Sequence, residues 1–200
     1  MLNINKYRDI TIGQGACSLL GTTIVVYLYV VDGLLIDSGP RRLKRESSKF
    51  FQEHQIDQVV LTHVHEDHSG MAAWLQRKMQ VPVYLHEMTI PRAQKRGKYL
   101  FYHYLMWGNR PAFDPQPFPE VLTTGKYTFD VIDSPGHMKY HQVFHERNQG
   151  WLFTGDLYVR PNPFVAFYDE NMKDTVASLQ KLLQLDFDTV FCEHTGVVEN

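Results

Sequence analysis

A chain of 200 residues with 44% hydrophobic content can enclose a sizeable core, and no composition shift or low-complexity tract marks a boundary, so a single domain over residues 1–200 is expected. The net charge of −2 and a pI near 6.5 lack the electropositive footprint that a phosphate backbone demands, which speaks against nucleic acid as a partner. The longest apolar run, Ile24 to Val31, is far too short to span a bilayer, the N-terminus has no signal-peptide core, and Cys17 and Cys192 make no disulfide framework, so a cytoplasmic protein without membrane attachment is expected.

In chain order, Thr23 to Val31 is β-branched and aromatic, Asp32-Gly33 is a two-residue turn, and Leu34-Leu35-Ile36 is the return strand of a hairpin ending at Asp37-Ser38-Gly39-Pro40. A helix is predicted from about Arg41 to His54, with Leu43, Phe50, Phe51 and His54 on one face and Arg41, Lys44, Arg45 and Lys49 on the other. Val59-Val60-Leu61 reads as a short buried strand. A second helix, about Met71 to Met79, is expected to bury Met71, Trp74, Leu75 and the stem of Lys78 before Val83-Tyr84-Leu85 resumes the sheet.

Residues 89–119 break this alternation into a basic piece, an aromatic piece from Tyr99 to Trp107 and a proline-rich tail. They read as an insertion near the site, serving as a pocket wall, a lid or an oligomer interface. Tyr127 to Ile132, His141 to His145 and Trp151 to Thr154 read as strands, the last two joined by a turn at Asn148-Gln149-Gly150. A final helix, about Asn171 to Gln184, aligns Met172, Val176, Leu179 and Leu183 on one stripe, and Val190 to Cys192 closes the pattern as a strand. Asp57-x-Val59-x-x-x-His63 and Asp188-x-Val190-x-x-x-His194 echo each other, as two halves of a β/α unit delivering a histidine to one common edge.

The densest chemistry lies in Thr62-His63-Val64-His65-Glu66-Asp67-His68-Ser69-Gly70, where three imidazoles and the Asp67 carboxylate fall within six residues. The chance of His-x-His-x-Asp-His at this composition is on the order of 10⁻³, so a divalent metal is the economical explanation. Further candidates sit just past predicted strands on glycine-punctuated loops: His137 in Ser-Pro-Gly-His, Asp156 in Thr-Gly-Asp, and His194 in Glu-His-Thr-Gly. Of the histidines outside this pattern, His141 is the reserve candidate, being close after His137. Asp37 is read either as a partner that fixes a ligand's tautomer or as a turn cap.

Taken together these residues closely resemble the metallo-β-lactamase superfamily, over essentially the whole chain. The resemblance implies an α+β (α/β) fold, an αβ/βα four-layer sandwich of two mixed sheets flanked by helices. It implies two divalent metal ions, zinc by default with iron or manganese as alternatives. His63, His65 and His137 would hold one, Asp67, His68 and His194 the other, and Asp156 both. The implied activity is hydrolysis of an ester, lactone or thioester-type carbonyl of a small molecule by a metal-bridging hydroxide. Asp67 would also orient the nucleophile, and Tyr158 or Tyr140 either donates a hydrogen bond to the developing oxyanion or simply packs.

Within the superfamily a diiron flavoprotein is disfavoured because His65 stands where that type carries a glutamate. A glyoxalase II-like thioesterase shares the ligand pattern, although its glutathione-binding helical extension has no counterpart in a chain ending at Asn200. A non-catalytic metal-binding protein is the alternative of a different class. Relatives usually close with a helix after the last histidine, whereas only Thr195 to Asn200 follow His194 here. A missing closing helix, a frayed edge at His194, or a second copy of the chain covering that edge in a homodimer is therefore expected.

Overall fold

The computed structural model describes residues 2–161 and 170–199. Among these, the first sheet contains β1 (Asn3–Tyr7), β2 (Ile10–Leu19), β3 (Thr22–Val31), β4 (Leu34–Ile36), β5 (Gln58–Val60) and β6 (Val83–Tyr84), side by side in chain order. Pairing is antiparallel from β1 to β4 and parallel from β4 through β6. The β3–β4 hairpin turns on Asp32 and Gly33, both with positive φ (46° and 82°), the geometry that a two-residue loop needs to match strand twist.

The second sheet is built from β7 (Leu122–Thr123), β8 (Thr128–Asp133), β9 (Gln142–Glu146), β10 (Trp151–Gly155), β11 (Thr189–Cys192) and β12 (Gly196–Glu199) in the order β12-β11-β10-β9-β8-β7. Its one parallel pairing is β10 with β11. The helices are α1 (Lys44–Glu53), α2 (Glu66–Ser69), α3 (Ala72–Trp74, widening into a looser coil through Met79), α4 (Ile90–Ala93), α5 (Phe101–Met106) and α6 (Met172–Leu182).

Alternation along each strand explains the layering. Leu28, Val30, Leu35 and Val59 point out of one face of the first sheet onto Phe50 and Phe51 of α1 and Ala72, Ala73 and Leu75 around α3. Tyr29, Val31, Leu34, Ile36 and Val60 point the other way, where Phe144, Trp151, Phe153 and Phe191 of the second sheet meet them. Val143, Leu152 and Leu182 then pack the outer face of the second sheet under α6. Both sheets are covered on both faces, so their central strands read as unbroken apolar runs. The result is the expected helix–sheet–sheet–helix sandwich.

Four details differ from the sequence expectation. Strands β1 and β2 precede the first predicted strand, and β2 holds glycines where neighbours press in: a Cβ on Gly15 would lie 2.6 Å from Leu43 Cδ1 and 2.7 Å from Leu2 Cδ2. Lys78 is exposed and Trp74 half-buried, because the backbone after α3 widens and swings the second turn away; Ala72 and Ala73 fill the contact instead. On α6 the stripe of Met172, Val176 and Leu183 faces outward, at 47%, 50% and 69% exposure, while Ser178 and Leu182 are buried. Finally, the segment after His194 is strand β12, paired with β11 from Cys192↔Gly196 to Thr189↔Glu199, so His194 does not sit at a frayed edge.

Candidate metal centre

The loops that carry the site leave the carboxyl ends of β5, β10 and β11 and the β8–β9 connection, the edge where α/β sheets present ligands. His63 and His65 lie on the extended chain between β5 and α2, and Asp67 and His68 lie on α2. Asp156 follows Gly155, whose φ of +49° turns the chain after β10; a Cβ there would come 2.7 Å from Thr62 Oγ1 and 2.8 Å from His141 Nε2. Only glycine fits that approach.

Two groups of donors face each other. His63 Nε2 and His65 Nδ1 are 3.0 Å apart, as are His65 Nδ1 and His137 Nε2. In the second group Asp156 Oδ1 lies 3.3 Å from His68 Nε2 and 3.4 Å from His194 Nε2, and Asp67 Oδ2 is 3.5 Å from His194 Nε2. Asp156 Oδ2 turns to the first group, 3.4 Å from His137 Nε2. Four donors held tetrahedrally at about 2.0–2.2 Å from a zinc-like ion lie roughly 3.3–3.6 Å apart, so the second group has that spacing and the first is slightly tighter. His68 Nε2 and Asp156 Oδ1 are buried with no hydrogen-bond partner among the described residues, as cation-facing atoms would be. The residues present therefore fit divalent ions.

Most of these imidazoles are fixed by the nitrogen that faces away. His63 Nδ1 meets Thr62 Oγ1 at 3.0 Å, His137 Nδ1 meets Glu170 Oε1 at 2.7 Å, and His194 Nδ1 meets the Val25 carbonyl at 2.8 Å. His68 Nδ1 lies 2.9 Å from Asp37 Oδ2 and 2.6 Å from Glu193 Oε2. Asp37, with φ of +55°, also accepts from Thr62 N–H and Thr62 Oγ1–H, both at 2.8 Å, so the partner reading of Asp37 holds rather than the turn cap. Such outward bonds select the tautomer that leaves the inward nitrogen free to donate its lone pair.

Electrostatics divide the histidines. Burial, reinforced by neighbouring imidazoles, holds His63 well below the ordinary histidine range and His65 down to about 3. Burial opposes charge on His68, His137 and His194 too, but acidic neighbours outweigh it: Glu193 and Asp156 for His68, Asp156 and Glu170 for His137, and Asp156 and Asp67 for His194. All three are raised. Burial likewise penalises the Asp67 carboxylate, yet His68 and His194 bring it down to about 2, and Asp156 is held well below the carboxylate range.

All seven candidate ligands thus converge. His141 does not join them: its Nδ1 meets Ser134 Oγ at 2.8 Å and its Nε2 accepts from the Asp156 N–H at 3.3 Å, holding the Asp156 loop from behind. Tyr140 packs against His86, ring centres 4.9 Å apart. Tyr158 is half-buried two residues past Asp156. Around the ligands stand Glu66, Glu170 and Glu193, none of which the motif spacing singles out. Glu66 hydrogen-bonds His103 of α5, and the Trp107 ring lies 6.2 Å from that of His194, so the 89–119 segment does border the centre.

The chain is similar to hydroxyacylglutathione hydrolase of Nitrosomonas europaea, 28% identical over 156 residues, covering 74% of this chain and 50% of that protein. It is also similar to atrochrysone carboxyl ACP thioesterase of Aspergillus fumigatus, 26% identical over 196 residues, covering 93% and 54%. It spans about half the length of these relatives. Among solved structures, a metallo-beta-lactamase from Pontibacter korlensis superposes with a TM-score of 0.77 at 21% identity, covering 100% of this chain and 94% of that one. TTHA1623, solved in a di-iron-bound form, gives 0.69 at 26% identity, covering 92% and 93%. The sequence pattern of the metallo-beta-lactamase superfamily matches residues 21–194. A match that runs from the turn before β3 to the last histidine takes in β3 to β6 of the first sheet, β7 to β11 of the second and every loop of the centre, and the chain belongs to the metallo-beta-lactamase superfamily.

Proposed function

We propose that this chain is a dinuclear metal-dependent hydrolase that cleaves a carbonyl ester-type bond of a small molecule, with thioesters first in order and esters and lactones next. The observation that carries this reading is Asp156, whose two oxygens are shared between a three-histidine group and an Asp–His–His group. His63, His65 and His137 would hold one ion, Asp67, His68 and His194 the other, with Asp156 common to both. Zinc is the first candidate and iron or manganese the alternatives, chosen by supply as much as by affinity. Such ions, when bound, supply an acidified water and an electrophilic anchor for a carbonyl oxygen.

The protein's own contribution is positional. Asp67 Oδ2, beside His194 Nε2, accepts a hydrogen bond from the attacking water and orients it. Tyr158 Oη–H donates to the carbonyl oxygen as negative charge develops there. Trp107, buried just after α5 with its ring 6.2 Å from that of His194, covers that side of the centre. The thioester preference takes support from relatives named as a hydroxyacylglutathione hydrolase and an acyl-carrier thioesterase.

The test couples elemental analysis of the purified protein to a panel of thioester, ester and lactone substrates. His63→Ala and Asp156→Ala are expected to lose metal and to lower kcat/KM by at least about 10²-fold, and Tyr158→Phe to lower kcat by about 10²-fold with metal retained. Full activity in both ligand variants would overturn the mechanism. Bound metal with no turnover on any substrate would favour a non-catalytic metal-binding protein instead.

A further inference from the structure

Among the centre's imidazoles, His68 is distinguished by its surroundings. The outward nitrogens of His63, His137 and His194 each meet one oxygen of one neighbour, a hydroxyl, a carboxylate and a backbone carbonyl respectively. His68 Nδ1 instead meets two carboxyl groups, Asp37 Oδ2 at 2.9 Å and Glu193 Oε2 at 2.6 Å, and all three residues are buried. Glu193 has little freedom to be elsewhere. Its carbonyl accepts from Tyr27 N–H at 2.8 Å, its neighbour Cys192 accepts from Tyr29 Oη–H at 2.6 Å through its own carbonyl, and His194 is tied to Val25. Three bonds to alternate residues of β3 thus set the backbone, and they send the Glu193 side chain inward toward His68.

We propose that Glu193 is a positioning residue which, together with Asp37, clamps the His68 ring and strengthens its Nε2 as a donor, so that the Asp67–His68–Asp156–His194 position holds its cation more tightly than Asp37 alone would allow. His68 gives its Nδ1–H to Asp37, and Glu193, whose carboxyl oxygens take no hydrogen bond among the described residues, sets a second carboxyl group against the same nitrogen; electron density at Nε2 rises, and the ring loses the freedom to tilt away from the ion. In a buried site with little water the effect is stronger than at a surface. The three-histidine position receives no such contribution: among the described residues no hydrogen bond or ion pair joins Glu193 to His63, His65 or His137. This inference rests on the metal-centre reading above.

The experiment is stepwise zinc removal from the intact protein by a chromophoric chelator, in wild type, Glu193→Ala and Glu193→Gln, with circular dichroism verifying the fold. Wild type is expected to yield two zinc equivalents. In Glu193→Ala one equivalent weakens by about 10- to 100-fold while the other keeps its wild-type affinity. Glu193→Gln, which keeps the shape of the contact but not its charge, weakens the same equivalent by about 3- to 10-fold and leaves the other unchanged, and it carries the test alone if the alanine variant does not fold. Two equivalents with wild-type affinities in both folded variants would overturn the role of Glu193 and leave the dinuclear reading intact. Equal weakening of both equivalents would also overturn it, as a general loss of structure. A wild type that binds no second equivalent would instead remove the dinuclear reading itself.

Discussion

His68, His137 and His194 carry a consequence that reaches beyond their geometry. In the metal-free protein acidic neighbours raise all three, so each keeps a proton to higher pH than a free histidine does, whereas a metal ligand must give that proton up. The metal-free state therefore binds more protons than the loaded one, and affinity must rise with pH and fall on acidification. Zinc loading at about pH 7 is expected to release protons, measurable by calorimetry in two buffers of different ionisation heat; loading without proton release would contradict the arrangement. His63 and His65, already deprotonated at that pH, contribute nothing to the release. The ligands themselves were legible in the sequence because four of them share one local motif. Glu193, Glu170 and Glu66 were not, since a buried carboxylate's role depends on which ring it meets across the fold, and nothing in its local spacing records that.

At the level of elements, α6 shows where helical periodicity informs and where it misleads. A stripe of Met172, Val176, Leu179 and Leu183 satisfies the amphipathic pattern, but the helix lies on the second sheet along Ser178 and Leu182, with Leu179 only at the margin. Ser178 Oγ–H donates to the Pro135 carbonyl at 2.6 Å, so a polar residue is welcome on the inner face. Leu182→Ala should cost about 2–5 kcal/mol, while Val176→Ser should change stability by no more than about 0.5 kcal/mol, as read from urea denaturation. The opposite ranking would mean that the outward stripe is covered. Strands β3 to β6 and β8 to β11 were legible from their β-branched and aromatic runs. Strands β1 and β2 were not, because Gly13 and Gly15 sit where Leu2, Leu43 and Phe50 need room, and glycine weakens any strand signal.

On the scale of the whole molecule, the echoed Asp-x-Val spacing has a structural counterpart. Asp57 N–H donates to the Gly33 carbonyl at 2.8 Å just before β5, and Asp188 N–H donates to the Gly150 carbonyl at 3.0 Å just before β11. Each glycine has positive φ and turns an antiparallel hairpin, β3–β4 in one half and β9–β10 in the other, whose second strand pairs in parallel with the strand that follows. Each half thus delivers a ligand histidine at the same edge. Ions that engage both halves stabilise only the folded state. At free zinc about a thousand times its dissociation constant they contribute about 4 kcal/mol. Chelation should accordingly lower Tm by roughly 8 to 16 °C in scanning calorimetry, and an unchanged Tm would argue against ions spanning the two halves.

The three bonds by which Cys192, Glu193 and His194 fasten to Tyr29, Tyr27 and Val25 cross from one layer to the other. Sliding of the layers is thereby coupled to the cage: a slip of one residue along β3, about 3.3 Å, would drag His194 off target together with the packing of Tyr29 on Phe153 and Phe191. Alignment of the sandwich and integrity of the centre are, in this molecule, a single mechanical quantity.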